Sequence, residues 1–144
     1  MNPGFQGHFR GRTADGENWT LDEPLEYHRP NGERLRGIPG ATTDGPSIPA
    51  ALQGLVSPIG PLWLCGALHD WAYRAYLERW DLAAGAWVPW VPTKAESDDL
   101  ISEAMHLAGI HAAHRFEVYQ AVHLFGHPAF IEDRKAAEAA GRIK

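Results

Sequence analysis

The chain has 144 residues, 44% of them hydrophobic and 22% charged, which is the composition of an ordinary globular protein of one domain. Its formal net charge of −5 argues against a nonspecific binder of nucleic acid or anionic membrane, because both need a basic face. The single cysteine, Cys65, excludes an intrachain disulfide and a cysteine-based zinc site. No apolar run approaches the ~20 residues that span a bilayer, and residues 1–5 lack the basic and apolar regions of a signal peptide. We therefore expect a protein that is made in a cytoplasm, without a transmembrane segment.

The first 40 residues are predicted to form short strands and turns. Residues 19–21 and 25–28 have strand-like patterns. Asn31-Gly32 predicts a two-residue hairpin turn of type I′, because both central positions of that turn need a positive φ. The returning strand is then expected at 33–38.

Residues 41–60 are predicted to form a loop that Pro46, Pro49 and Pro58 make stiff. Within it, the carboxylate of Asp44 and nearby carbonyls can supply oxygen ligands to a hard cation such as calcium. The same residues also suit an Asx-turn, in which Asp44 accepts a backbone amide two residues on. The sequence leaves both interpretations open.

Helical patterns follow at 61–80, 93–108 and 111–125. Thr93 and Glu96 form a capping box that marks the start of the second helix, and Gly126 marks the end of the third. The segment 81–92 is predicted to be a loop or lid, with Trp80, Trp87 and Trp90 as an apolar rim over a substrate. The polar tail 127–144 is predicted to be a helix that frays.

These elements predict a single α+β domain over residues 1–144. A short N-terminal antiparallel β element packs on a helical core at 61–126, whose three helices precede the frayed C-terminal helix.

The helical phase points His69 and Asp98 toward a shared interface. His69 lies on the apolar stripe of the first helix, and Asp98 occupies an inward position of the second. A buried carboxylate needs a donor, and the imidazole of His69 is the obvious one, which leaves its other nitrogen as a general base or metal ligand. Tyr73, one turn beyond His69, is within reach, and Asp70 can bind a cation or water. The alternative is a purely structural strut between two helices.

Four ordered blocks of sequence carry a resemblance to a known family. They are Thr43-Asp44-Gly45-x-Ser47-Ile48-Pro49, His69-Asp70-x-x-Tyr73, Asp98 leading to Glu103-Ala104-Met105, and Tyr119-x-Ala121-Val122-x-x-Phe125-Gly126. The series resembles a bacteriophage and prophage family known as domain of unknown function 1353, over roughly residues 5–126. This resemblance implies phage ancestry, phage structural partners and association with a virion, but no established activity.

A more distant resemblance suggests chemistry. Cys65-x-x-x-His69-Asp70-x-x-Tyr73, followed by Asp98 on another helix, is similar to the core of phospholipase A2 enzymes, and nearest to the bacterial and parvoviral forms. The resemblance implies that His69 activates water, Asp98 orients it, Tyr73 supports it and Asp70 binds a divalent cation. Calcium is favoured over zinc. The glycine-rich calcium loop of those enzymes has no clear counterpart, so the Asp44 loop is the candidate substitute.

Three functions follow. The first is a phage-derived hydrolase that cleaves a lipid ester with a His-Asp dyad and a divalent cation. The second is a metal-dependent hydrolase acting on the cell wall. The third is a non-enzymatic virion or host-interaction protein, in which the His-Asp pair is structural. The His-Asp metal phosphohydrolases rank last, because they need further helix-borne histidines upstream.

Overall fold

The computed structural model describes residues 2–44 and 61–143. Most of the predicted proline-rich loop therefore lies outside the described residues. The elements, in chain order, are β1 (Gly4–Gln6), β2 (Gly11–Thr13), β3 (Trp19–Leu21), β4 (Leu25–His28), β5 (Arg34–Gly37), β6 (Thr42–Thr43), α1 (Pro61–Tyr73), β7 (Leu77–Asp81), β8 (Ala86–Pro89), α2 (Lys94–Leu107), α3 (Ala112–Phe125) and α4 (His127–Ala139).

The strands form two antiparallel sheets, which confirms the α+β class. The larger sheet has the order β1-β4-β5-β7-β8 and the smaller has the order β2-β3-β6. Strands β4 and β5 form the predicted hairpin, but its turn is not of type I′. The amide of Gly32 donates to the carbonyl of Arg29 at 3.0 Å, and of the turn residues only Gly32, with φ 91°, has a positive φ. Pro30, with its fixed negative φ, favours this ordinary turn followed by one left-handed glycine.

The first helix was predicted to be too long, and the segment that was predicted to be a loop or lid forms strands instead. Helix α1 ends at Tyr73, Ala75 takes a φ of 60°, and the chain then enters strand β7 instead of continuing to residue 80. Strands β7 and β8 form a hairpin over most of 81–92 and join the larger sheet beside β5. The rings of Trp80 and Trp87 meet across this hairpin with centroids 5.6 Å apart, so the segment belongs to the sheet and is not a loop. Their role as an apolar rim over a substrate stays a prediction.

The core lies between the larger sheet and the helices. Helix α1 is buried on almost every side, and Trp71 within it is fully buried. The polar tail forms helix α4, as predicted, but it is docked: the Phe130 ring packs on Tyr73 with centroids 5.1 Å apart, and Arg134 donates to the carbonyl of Ala72 at 3.1 Å. Among the described residues, no helix has the length and apolar character to cross a bilayer.

Candidate functional site

The start of helix α2 fixes where Asp98 points. The Thr93 hydroxyl accepts the amide of Glu96 at 3.1 Å, and the Glu96 carboxylate accepts the amide of Thr93 at 3.0 Å. This confirms the predicted capping box and sets the phase of the helix. Asp98, five residues after the cap, is thereby turned toward α1, and it is 0% exposed.

His69 and Asp98 are hydrogen bonded, as the helical phase predicts. Nε2 of His69 lies 2.9 Å from Oδ1 of Asp98, and the Tyr73 hydroxyl donates to the same oxygen at 2.7 Å. Because an ionised carboxylate only accepts, Nε2 carries the hydrogen, and in the neutral imidazole Nδ1 then has the lone pair. Within the described part of the chain, the bond at Nε2 is the only hydrogen bond of the imidazole.

A third donor to Asp98, Lys94, was missed by sequence reasoning. Its ammonium lies 2.7 Å from Oδ2 of Asp98. The signal was present, since Lys94 and Asp98 are four residues apart on one helix face. Burial raises the pKa of Asp98, but hydrogen bonds from His69, Lys94 and Tyr73 outweigh it and lower that pKa. Asp98 is therefore a buried, ionised acceptor.

Asp70 is in a different environment. Its Oδ2 accepts the Thr43 hydroxyl at 2.6 Å. Burial is the main cause that raises the pKa of Asp70 well above its ordinary value; Arg74 opposes the shift, and the neighbouring Asp44 carboxyl adds to it. The structure thus brings together Asp44 and Asp70, the two residues predicted from sequence to hold a cation.

Arg74 supplies positive charge beside these carboxyl groups. Its guanidinium donates to Oδ1 of Asp44 at 3.1 Å and lies 3.6 Å from Oδ1 of Asp133. The oxygen donors of Asp44 and Asp70 suit a hard cation such as calcium better than zinc. Over residues 2–44 and 61–143, no group of three or more histidine, cysteine or acidic side chains is arranged to hold a metal ion. The described residues therefore place two carboxyl groups, those of Asp44 and Asp70, close together, and the binding of a cation there stays a prediction.

His69 and Asp70 line one cavity of about 720 Å³, as predicted. Its polar end includes Asp44, Arg74 and Asp133, whereas its other wall is apolar and comes from α2, α3 and α4. The apolar wall consists of Ile101, Val118, Ala121, Val122, Phe125 and Ala129. His69, whose imidazole has one hydrogen bond among the described residues, thus lines a cavity that has both polar and apolar walls.

Comparison with known proteins gives one family. The model of the family described as "Protein of unknown function (DUF1353)" matches residues 19–122, which include the whole His69–Asp98 pair and the strands around it. No curated protein and no solved structure matches the chain. The description of the family carries no activity, so any function has to be argued from the site itself.

Proposed function

We propose that this chain, which belongs to the DUF1353 family, is a hydrolase in which His69 is the general base and Asp98 orients it. One observation carries the proposal: the imidazole is held at Nε2 by a buried, ionised carboxylate and borders a cavity of about 720 Å³. A carboxylate in this position selects the Nε2–H tautomer and stabilises the imidazolium that forms during proton transfer.

The proposed reaction is the hydrolysis of an ester. Nδ1 of His69 takes a proton from water while the water oxygen bonds to the ester carbonyl carbon. The tetrahedral intermediate then collapses, the bond to the alcohol oxygen breaks, and the imidazolium returns its proton to that oxygen. General base catalysis of this kind contributes on the order of 10²–10⁴-fold in rate.

The lining of the cavity supports an amphiphilic substrate. The apolar side chains of Val118, Val122 and Phe125 offer a wall for an acyl chain. The polar ester group of the same substrate would then lie beside His69 and Asp70. A lipid ester fits this division better than a cell-wall peptide or glycan, because those substrates bring little apolar surface. This observation favours phospholipase A2-like chemistry among the hydrolases.

Asp70 and Asp44 are the residues that would hold a divalent cation, with calcium preferred. Such a cation polarises an ester carbonyl when it is bound. A cation would also favour the ionised form of Asp70, whose pKa is raised in the protein alone. The role of His69 in proton transfer is the same with or without this cation.

The test compares His69→Ala with His8→Ala, the same substitution at an exposed histidine. Hydrolysis is measured on p-nitrophenyl butyrate, on phosphatidylcholine vesicles and on purified peptidoglycan, each with calcium and with chelator. We expect vesicle hydrolysis by the wild type and by His8→Ala, and a loss on the order of 10²–10⁴-fold in His69→Ala. Equal rates in the two variants contradict the role of His69, and hydrolysis of peptidoglycan alone favours a cell-wall substrate.

A second candidate is a non-enzymatic phage or host-interaction protein with a structural His-Asp strut. The observation that favours it is the connectivity of Asp98, whose bonds reach His69 and Tyr73 on α1 and Lys94 at the start of α2. Under this alternative, no substrate of the panel is cleaved by the wild type, and His69→Ala lowers the melting temperature only.

A further inference from the structure

The ammonium of Lys94 makes three hydrogen bonds. It donates to Oδ2 of Asp98 at 2.7 Å, to the carbonyl of Val122 at 2.9 Å and to the carbonyl of His123 at 3.1 Å. An ammonium has three hydrogens, so its donor capacity is filled. The side chain is only 17% exposed, which means that water competes little for these bonds.

The bond to Oδ2 divides the two oxygens of Asp98 between different partners. Oδ1 accepts from His69 and Tyr73, whereas Oδ2 accepts from Lys94. A carboxylate that is held at only one oxygen can turn about its terminal torsion, which is broad and roughly two-fold. Lys94 removes this freedom and keeps Oδ1 aimed at the imidazole.

The bonds to Val122 and His123 connect the same ammonium to the end of α3. Both carbonyls belong to the last turn of that helix, where a positive charge is favourable. The carbonyl of Val122 also accepts the amide of Gly126 at 3.0 Å, so it is shared between the helix end and Lys94. Val122 also belongs to the apolar wall of the cavity. One side chain thus joins the carboxylate of the dyad to the helix that forms the wall.

We propose that Lys94 is a positioning residue, which aligns Asp98 with His69 and sets the distance between this dyad and the α3 wall. The proposal rests on the proposed function for its catalytic meaning, but the alignment itself can be observed without any substrate. Lys94 acts through Asp98 and does not touch the reacting atoms.

The experiment observes the Nε2–H proton of His69 by ¹⁵N–¹H NMR at one fixed pH. In the wild type we expect a single, slowly exchanging resonance, because Nε2–H is held at Oδ1 of a fixed carboxylate. Lys94→Met should shift and broaden this resonance and speed its exchange with water. Lys94→Arg, which keeps a cation and its donors, should restore most of the wild-type signal.

Arg29→Met is the matched control. Arg29 is also a partly buried cation that pairs with a carboxylate of α2, Glu103 at 3.1 Å, but it does not contact Asp98. The variant Arg29→Met should leave the His69 resonance unchanged. A change seen only in Lys94→Met then reports a loss of alignment of Asp98, and not a general loss of stability. If Lys94→Met does not fold, Lys94→Gln, which keeps two donors without the charge, is assessed in the same way.

An unchanged His69 resonance in folded Lys94→Met, or in the substitute variant Lys94→Gln, would overturn the proposal. Where the wild type hydrolyses an ester, kcat of Lys94→Met should fall on the order of 10–10²-fold, as expected for a small misplacement of a catalytic group. If no ester is hydrolysed, the proposed function fails while the NMR result still decides the role of Lys94.

Discussion

Asp98, which is bonded to His69, and Asp70, which follows His69 in the sequence, are both buried and differ in the direction in which the protein moves their pKa values. Asp98 receives hydrogen bonds from His69, Lys94 and Tyr73, and its pKa is lowered. Asp70 receives a hydroxyl bond from Thr43 and has Asp44 beside it, and its pKa is raised. Burial opposes ionisation in both. The number and charge of the donors therefore decide which buried carboxyl group stays ionised.

This difference suits the two carboxyl groups to different roles within the proposed site. An ionised Asp98 can orient and stabilise the imidazole of His69 throughout a proton transfer. Asp70, whose pKa is raised by burial, is the group whose charge state a bound cation would affect. Four predictions, each measured as a change in the stability of the folded state, test this contrast in addition to the His69 and Lys94 experiments.

Asp98→Ala should give the largest loss of stability. It leaves the ammonium of Lys94, Nε2–H of His69 and the Tyr73 hydroxyl without their buried acceptor, and removal of one partner of a buried ion pair costs about 3–5 kcal/mol. Urea unfolding measures this change. Asp99→Ala, at the exposed neighbouring position, should stay within about 0.5 kcal/mol of the wild type. Equal stability of the two variants would contradict the account of Asp98.

Tyr73→Phe should have an intermediate effect. It removes one hydrogen bond to a charged acceptor, which contributes about 1.5–3 kcal/mol. Because the lowered pKa of Asp98 stabilises the folded state above the pKa of the unfolded chain, this contribution is lost as the pH falls through the folded pKa. With one donor fewer, the acid loss should begin at a higher pH. Unfolding of the variant at several acidic pH values checks this, with Tyr76→Phe as the control.

Asp70→Asn should have the smallest effect and the opposite sign. The raised pKa of Asp70 means that the folded state binds more protons, so its stability declines as the pH rises from the unfolded pKa, about 3.9, through the folded pKa. The variant lacks this penalty and should be more stable at neutral pH, on the order of 1 kcal/mol. The difference should vanish below the unfolded pKa. A variant less stable than the wild type at neutral pH would show that Asp70 is stabilised as an anion.

Calcium sharpens the same comparison. If Asp70 and Asp44 hold the ion, added calcium raises the melting temperature of the wild type by linkage, and chelator reverses the shift. Asp70→Asn should show no such shift. An equal calcium response in the wild type and the variant would place the ion elsewhere.

Local patterns in the sequence determined the second and third helices and the central pair of the site. The capping box at Thr93 and the glycine at 126 mark element ends through nearby backbone groups, so they need no tertiary information. The pairing of His69 with Asp98 also followed from helical phase, because each polar side chain on an apolar stripe required a buried partner.

Tertiary structure alone decided the secondary structure of residues 77–92 and the hydrogen-bond partners of the charged side chain next to the His69–Asp98 pair. Leu77-Glu78-Arg79-Trp80 is compatible with a helix or a strand, and it becomes a strand because β5, far away in the sequence, offers a paired edge with Arg36 opposite Glu78. The bonds from Lys94 to the carbonyls of Val122 and His123 likewise depend on how α2 meets α3. Helix caps and helical phase are local properties, whereas strand pairing and the partners of a buried charge depend on which distant segments the fold brings together.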